Sequence, residues 1–194
     1  LIVGEAAGWV AGMDDLGPVP WPPAPIGTAR LRLRPSEARD RAAFVELLSS
    51  PEVHTYLGGP RPRDELEREL PDVPERWPGS FVVERNGVMI GQVLLRRATR
   101  RHRPAAAGKV ELGYLFLPRA WGSGCAAEAC AAALDWVEGV LPGEPVVLAT
   151  RTANAASMRL AAKLGFTEVE RFRAWDTDQW LGLRAPGPLP DRAR

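Results

Sequence analysis

A chain of 194 residues, 45% hydrophobic and 25% charged, has the size and composition of one ordinary globular domain and excludes a disordered or fibrous protein. Its 25 Lys and Arg nearly cancel its 24 Asp and Glu, so no strong global field recruits nucleic acid or an anionic membrane, and neither is expected as a partner. The two cysteines, Cys125 and Cys130, lie five apart in one apolar run and are accompanied by only two histidines, His54 and His102. A helix would turn the two thiols in different directions, so neither a disulfide nor a metal site is expected, and the usage suits a reducing cytoplasm. The first ten residues lack a basic leader and are shorter than the roughly 20 residues that span a bilayer, so they read as neither export signal nor anchor.

In chain order, residues 17–27 hold five prolines, which remove amide donors and favour extended geometry. Residues 1–27 are therefore expected to be a flexible arm, followed by one domain over 28–185 and a short tail over 186–194. Residues 28–34 set Leu31 and Leu33 against Arg30, Arg32 and Arg34, the alternation of a half-buried strand. A helix is expected from Ser36, a candidate N-cap, to about Ser49, on the apolar face of Phe44, Val45, Leu47 and Leu48. A more polar helix over 63–70 stops near Pro71 and Pro74.

Residues 80–84 and 88–95, joined by Arg85-Asn86-Gly87, read as a hairpin, since Asn-Gly supplies the positive φ of a tight turn. The basic run over 96–103 reads as a solvated connection, and 109–117 as a further strand. The alanine-rich segment 125–140, with Leu134, Trp136 and Val137, predicts a helix buried against the sheet. A short strand over 145–150, a helix over 154–164 ended by Gly165, and strands over 166–175 and 179–184 complete a mixed α/β pattern.

The stretch from Leu112 to Ala129 reads as strand, glycine-bearing loop and helix. Gly122 and Gly124 let backbone approach an anion, and the free amides and dipole of the next helix turn favour phosphate. Alone, the two glycines read equally well as a tight connection. The Gly-Lys-Ser/Thr ending of a Walker loop and the longer dinucleotide pattern are both absent.

Residues 118–129 run Pro-x-x-Trp-Gly-x-Gly-x-Ala-x-Glu-Ala, and about 30 residues on come Asn154-x-x-Ser157 and Lys163-Leu164-Gly165-Phe166. In these two motifs the chain resembles the GNAT N-acetyltransferases, particularly the branch of ribosomal-protein N-terminal acetyltransferases, over about 28–184. The resemblance implies an α+β fold: a mixed, mostly antiparallel sheet of about seven strands with helices on both faces, the two early helices walling the acceptor cleft. It implies acetyl-CoA as co-substrate, no metal, and direct attack by an amine of a small molecule or a protein N-terminus. The backbones of Phe116 and Leu117 would pair with pantetheine, and the amides of Gly122, Ser123, Gly124, Cys125 and Ala126 would hold the diphosphate. Trp121 stands where many members carry glutamine or arginine, and Asn154 would contact the pantetheine arm.

The resemblance also frames the chemistry. A backbone amide near Leu115 and Phe116 is the candidate oxyanion donor. Ala161 stands where many members carry a tyrosine acid, so Ser157 becomes the candidate donor to the leaving thiolate, against the alternative of a hydroxyl bonded to its own helix backbone. Glu111 is the candidate base, against the reading of an exposed strand carboxylate, with Glu84 the weaker alternative. Tyr114 either lines the acceptor tunnel or packs, and packing is the expectation. An inactive acetyl-CoA-binding sensor or interaction module is the rival reading, with a proline-arm ligand ranked last. The sequence leaves the oligomeric state open, a homodimer included.

Overall fold

The structure, a computed structural model, describes residues 16–98 and 104–187. It contains eight strands: β1 (Ile26–Gly27), β2 (Arg32–Arg34), β3 (Ser80–Arg85), β4 (Val88–Arg97), β5 (Val110–Phe116), β6 (Val146–Arg151), β7 (Thr167–Ala174) and β8 (Thr177–Arg184). Four α-helices accompany them: α1 (Arg41–Ser49), α2 (Arg63–Glu69), α3 (Cys125–Val140) and α4 (Ala155–Lys163). The strands form one sheet in the order β1-β2-β3-β4-β5-β6-β8-β7, antiparallel throughout except where β5 meets β6. This is the expected α+β fold, a mixed and mostly antiparallel sheet.

Alternation along β5 sorts the helices onto the two faces of the sheet. Val110, Leu112 and Phe116 join the core built on Ala129, Cys130 and Ala133 of α3. Leu115 points the other way, into the cluster made with Phe44, Leu47 and Leu48 of α1 and Leu66 of α2. The Asn86-Gly87 turn closes the β3–β4 hairpin with positive φ at both residues, 51° and 79°, as a right-twisted two-residue connection requires.

Three features depart from the sequence reading. The described part of the proline segment is packed: Leu16 is buried, and Trp21 meets Phe81 and Trp136 edge-on at 5.2 and 6.2 Å. Ile26 and Gly27 then pair with Leu33 and Arg32, which raises the strand number from about seven to eight. Prolines forbid a central strand but not an extended path whose intervening aromatic side chains find a core.

At the start of α1, Ser36 does not cap; its hydroxyl donates to the Pro74 carbonyl, and a 3-10 turn over Ala38–Asp40 leads into the helix, with the Glu37 N–H donating to Asp40 Oδ2 at 2.8 Å. Arg96 and Arg97 belong to the end of β4 and pair with Glu111 and Glu144. The remainder of that basic run, 99–103, lies outside the described residues.

Candidate active site

β5 and β6 pair only at Val110↔Val146 and Glu111↔Val147. Beyond those residues each strand follows its antiparallel neighbour, β5 along β4 and β6 along β8, and the sheet's accumulating twist carries the two apart. The rift is a cavity of about 640 Å³. Its walls are Leu112, Tyr114, Leu115 and Phe116 on β5 and residues 148–151 on β6; the first turns of α3 and α4 close it on one side, and Glu52, Val53 and residues 55–58, after α1, reach it on the other.

One end of the rift is the glycine loop. Gly122 and Gly124 hold φ of +69° and +78°, values that L side chains rarely adopt, and a Cβ on Gly122 would meet nothing within 4 Å. Gly122 is thus open ground for an incoming group, whereas a Cβ on Gly124 would stand 3.3 Å from Arg30 Nη2. Gly124 is the N-cap of α3, whose first i→i−4 bond runs from the Glu128 N–H to the Gly124 carbonyl at 3.1 Å. The amides of Cys125, Ala126 and Ala127 lie ahead of that bond, where a helix presents unpaired donors and the positive end of its dipole. A glycine cradle backed by a 16-residue helix fits a diphosphate.

Ser123 shapes the loop instead of facing the rift: its hydroxyl donates to the Ala120 carbonyl at 2.7 Å and lies 3.1 Å from the Cys125 Sγ. Both cysteines are buried free thiols. Trp121, half exposed, donates its indole N–H to the Phe116 carbonyl at 2.7 Å. The Leu117 N–H donates to the Ile90 carbonyl, and the Leu117 carbonyl accepts from Ala120. Phe116 and Leu117, whose backbones the resemblance assigns to pantetheine, therefore have these three backbone groups engaged within the chain.

Across the rift, Asn154 caps α4 by accepting the Ser157 N–H on Oδ1 at 3.0 Å, and its side-chain amide group is not used by that bond. Ser157, in the first turn of α4 and buried, has its Oγ 2.6 Å from the Tyr114 hydroxyl. The hydroxyl is thus not folded back onto its own helix. Burial pushes the Tyr114 phenol well above the ordinary tyrosine range, outweighing the contact with Ser157. Ala161 is fully buried in the core.

The carboxylates lie elsewhere. Glu111 is buried at the closed base of the rift, with Arg96 Nη2 at 3.5 Å, and is not among the residues on the cavity wall. Its side chain shares the face of Gly113 and Leu115, opposite Tyr114, and of that face Leu115 alone is on the wall. Glu84 is held by Arg34 at 2.7 Å and Arg39 at 2.9 Å and is not on the rift wall. Burial pushes its carboxyl up, but the hydrogen bond and charge of Arg34 and the charges of Arg39 and Arg32 outweigh it and leave the group below the usual range.

Sequence reasoning missed Arg30, whose guanidinium donates to the Ser123 carbonyl at 2.8 Å and pairs with Glu128 at 2.7 Å. The Thr28 hydroxyl also donates to Glu128, at 2.5 Å, and with Arg30 keeps that carboxyl below the usual range against its partial burial. The turn before β2 is thereby stapled to the first turn of α3. Glu128 was legible as part of the glycine motif; its partners, about 100 residues away, carried no local signal. Trp175, with φ +50° in the β7–β8 turn, and Tyr56 also reach the rift. Among the described residues no cluster of His, Cys, Asp or Glu could hold a metal ion, and no helix is long and apolar enough to cross a membrane.

The same architecture recurs in solved structures. A GNAT-family acetyltransferase from Bacillus anthracis superposes with a TM-score of 0.68 at 20% identity, covering 84% of this chain and 98% of that one. The spermidine N-acetyltransferase of Vibrio cholerae, in complex with CoA and spermine, gives 0.63 at 23% identity over 82% and 97%. RimJ of Mycobacterium smegmatis, in complex with CoA-disulfide, gives 0.62 at 21% over 84% and 88%. At the level of sequence, an uncharacterized protein of Bacillus subtilis strain 168, YkkB, is 30% identical over 157 residues, 77% of this chain and 88% of that protein. The family profile for the acetyltransferase (GNAT) domain matches residues 30–167, a span that runs from the Arg30 staple through the glycine loop and α4 to the first residue of β7. The rift, the cradle and the profile agree, and the chain belongs to the GNAT acetyltransferases, in their RimJ/RimL-type group.

Proposed function

We propose that the chain transfers acetyl from acetyl-CoA to a primary amine by direct attack. The observation that carries this reading is the rift itself: a phosphate-suited cradle at one end and a pair of hydroxyls across it, along a strand edge that has lost its partner. The amides of Gly122 to Ala126 would hold the diphosphate, and the Asn154 side-chain amide the pantetheine arm. Two structural neighbours were solved with CoA or its disulfide, which supports acetyl-CoA as the donor.

Acetyl-CoA supplies the activated acyl group; the chain's residues orient it and stabilise the charge that develops. A preorganised backbone donor near Leu115 and Phe116 is worth about 2.7–4 kcal/mol in such reactions. Ser157 is the residue we assign to the leaving thiolate. Glu111 remains the residue the sequence offers as base, but its burial, its Arg96 partner and its absence from the wall support a structural part at the base of the rift. With no carboxylate assigned to the amine, the acceptor is expected to react in its neutral form, so turnover should rise with pH as the acceptor's ammonium deprotonates.

The acceptor is an amine of a small molecule or a protein N-terminus; the Vibrio cholerae neighbour acts on spermidine. The buried free thiols support a reducing, cytoplasmic setting. The rival reading, an inactive acetyl-CoA sensor, draws on Glu111 lying off the wall. One experiment separates the two: thermal melts with millimolar acetyl-CoA, NAD or ATP, followed by an amine screen at fixed acetyl-CoA that follows release of free thiol. Acetyl-CoA alone should raise the melting temperature, by mass action, and at least one amine should release thiol. A shift without turnover across polyamines, small amines and peptide N-termini favours the sensor; no shift at all removes both readings.

A further inference from the structure

The Tyr114–Ser157 contact joins the two walls of the rift, and its chemistry gives the contact a direction. Tyr114 stands opposite Val93 in the β4–β5 ladder, beyond the last residues that β5 shares with β6. Its side chain crosses the rift and ends 2.6 Å from Ser157 Oγ. Ser157 is fixed from behind, its N–H taken by Asn154. At this distance either hydroxyl could donate; a phenol is intrinsically the stronger acid of the two, and burial disfavours ionisation of both, so the donor role falls to the phenol and the serine oxygen accepts. The serine proton is then turned away from Tyr114. Among the described residues Ser157 Oγ has no other hydrogen-bond partner in the chain, and both residues line the cavity.

We propose that Tyr114 is a positioning residue for acetyl transfer: its phenol donates to Ser157 Oγ and so presents the serine proton to the rift, where the sulfur of the thioester must leave. The proposal rests on the acetyl-transfer reading. The amine lone pair forms the C–N bond, the C–S bond breaks, and its electron pair departs on sulfur. The Ser157 hydroxyl donates a hydrogen bond to that developing thiolate. The proton shed by the amine goes to water, and water returns one to the sulfur, so Ser157 and Tyr114 each keep their own. Burial, which holds the phenol protonated, suits a donor that never ionises.

The competing role is a strut: the ring spacing β5 from α4, with Phe116 beside it at 6.4 Å. Tyr114→Phe keeps the ring and removes only the hydroxyl. Wild type, Tyr114→Phe, Ser157→Ala and the double variant should be compared for kcat and for KM of acetyl-CoA with the best amine of the screen, over about pH 6 to 9. Tyr114→Phe should lower kcat about tenfold, the scale of one hydrogen bond made in the transition state, with KM within about twofold. Ser157→Ala should fall at least as far, and the double variant no further, because the phenol acts only through the serine. The Tyr114→Phe ratio should stay constant across the pH range, since the phenol does not titrate in it.

An unchanged kcat in Tyr114→Phe, effects that multiply in the double variant, or a raised KM at constant kcat each overturn the proposal, as does loss of folding in Tyr114→Phe, which would assign the residue to the strut. If the wild type turns over no amine, the acetyl-transfer reading fails and takes this proposal with it. Turnover in the wild type with an indifferent Tyr114→Phe sinks the proposal alone.

Discussion

The two edges of β5 are held in opposite ways. Against β4 it is paired over its whole length, from Val110 to Phe116; against β6 it is paired only at Val110 and Glu111. The polar groups divide along the same line. On the closed side Arg34 spends its guanidinium inside the fold, with two bonds to Asp40 at 2.7 and 2.8 Å and one to Glu84 at 2.7 Å. On the open side the amides of the first α3 turn and the side-chain amide of Asn154 lie on a cavity wall. The closed side is organised for stability and the open side for a ligand, so substitutions on the two sides should fail in different ways.

The largest effect is expected on the closed side. Arg34→Leu leaves Asp40 buried without its cation and Glu84 with Arg39 alone, and breaking a buried pair in this way costs about 3–5 kcal/mol. Urea or thermal denaturation should register the loss, while any folded fraction should still bind acetyl-CoA. The same cluster sets an acid limit. The Glu84 carboxyl is held below its ordinary range in the fold, so its contribution is complete above the unfolded-state carboxylate range, about pH 4 to 5, and is lost as pH falls through the lower folded value. In Arg34→Leu, melting temperature should vary less over that acid window; an unaltered dependence would place the acid sensitivity elsewhere.

An intermediate effect is expected at Asn154, which serves both sides of the comparison. Asn154→Ala removes the α4 cap and should cost about 1 kcal/mol of stability, together with about 0.5–1.5 kcal/mol of acetyl-CoA affinity for one hydrogen bond. Asn154→Asp keeps an oxygen for the Ser157 N–H but loses the amide donor, so stability should hold while affinity falls. Denaturation and calorimetric titration of the pair of variants separate cap from ligand contact; equal affinity in Asn154→Asp and wild type would leave Asn154 a cap only.

The smallest effect is expected from Glu111→Gln. A positioned base supplies about 10² to 10⁴-fold, whereas a buried strand carboxylate at the closed end of the rift should leave kcat within about threefold of wild type once the variant is folded. A fall of about a hundredfold in kcat, with acetyl-CoA affinity unchanged, would return Glu111 to the role of base and move the acceptor to the other face of β5.

Much of this architecture was legible in the residues because it depends on neighbours in sequence. The Asn86-Gly87 turn, the alanine-rich α3 and the proline stop after α2 each follow from local backbone preference and periodicity, and the structure has them close to where the pattern puts them. The glycine loop was legible for the same reason: positive φ at Gly122 and Gly124 and the helix start at Cys125 are properties of one short stretch. The proline segment was misread because its prolines speak only of the backbone; Trp21 finds Phe81 and Trp136, which lie 60 and 115 positions further on in this numbering.

The sequence by itself determined which segments are strands and helices, where an anion-suited loop lies, and which family the two motifs resemble, since each rests on a run of consecutive residues. Only the tertiary structure decided what those parts face. Glu111 and Tyr114 are three positions apart on one strand, yet the pleat sends them to opposite faces, one to Arg96 and the other across the rift to Ser157, 43 positions away. Whether a strand edge is closed or open depends on which strand arrives beside it and how far their twists keep them together, and neither Val110 nor Phe116 carries that information in its own neighbourhood.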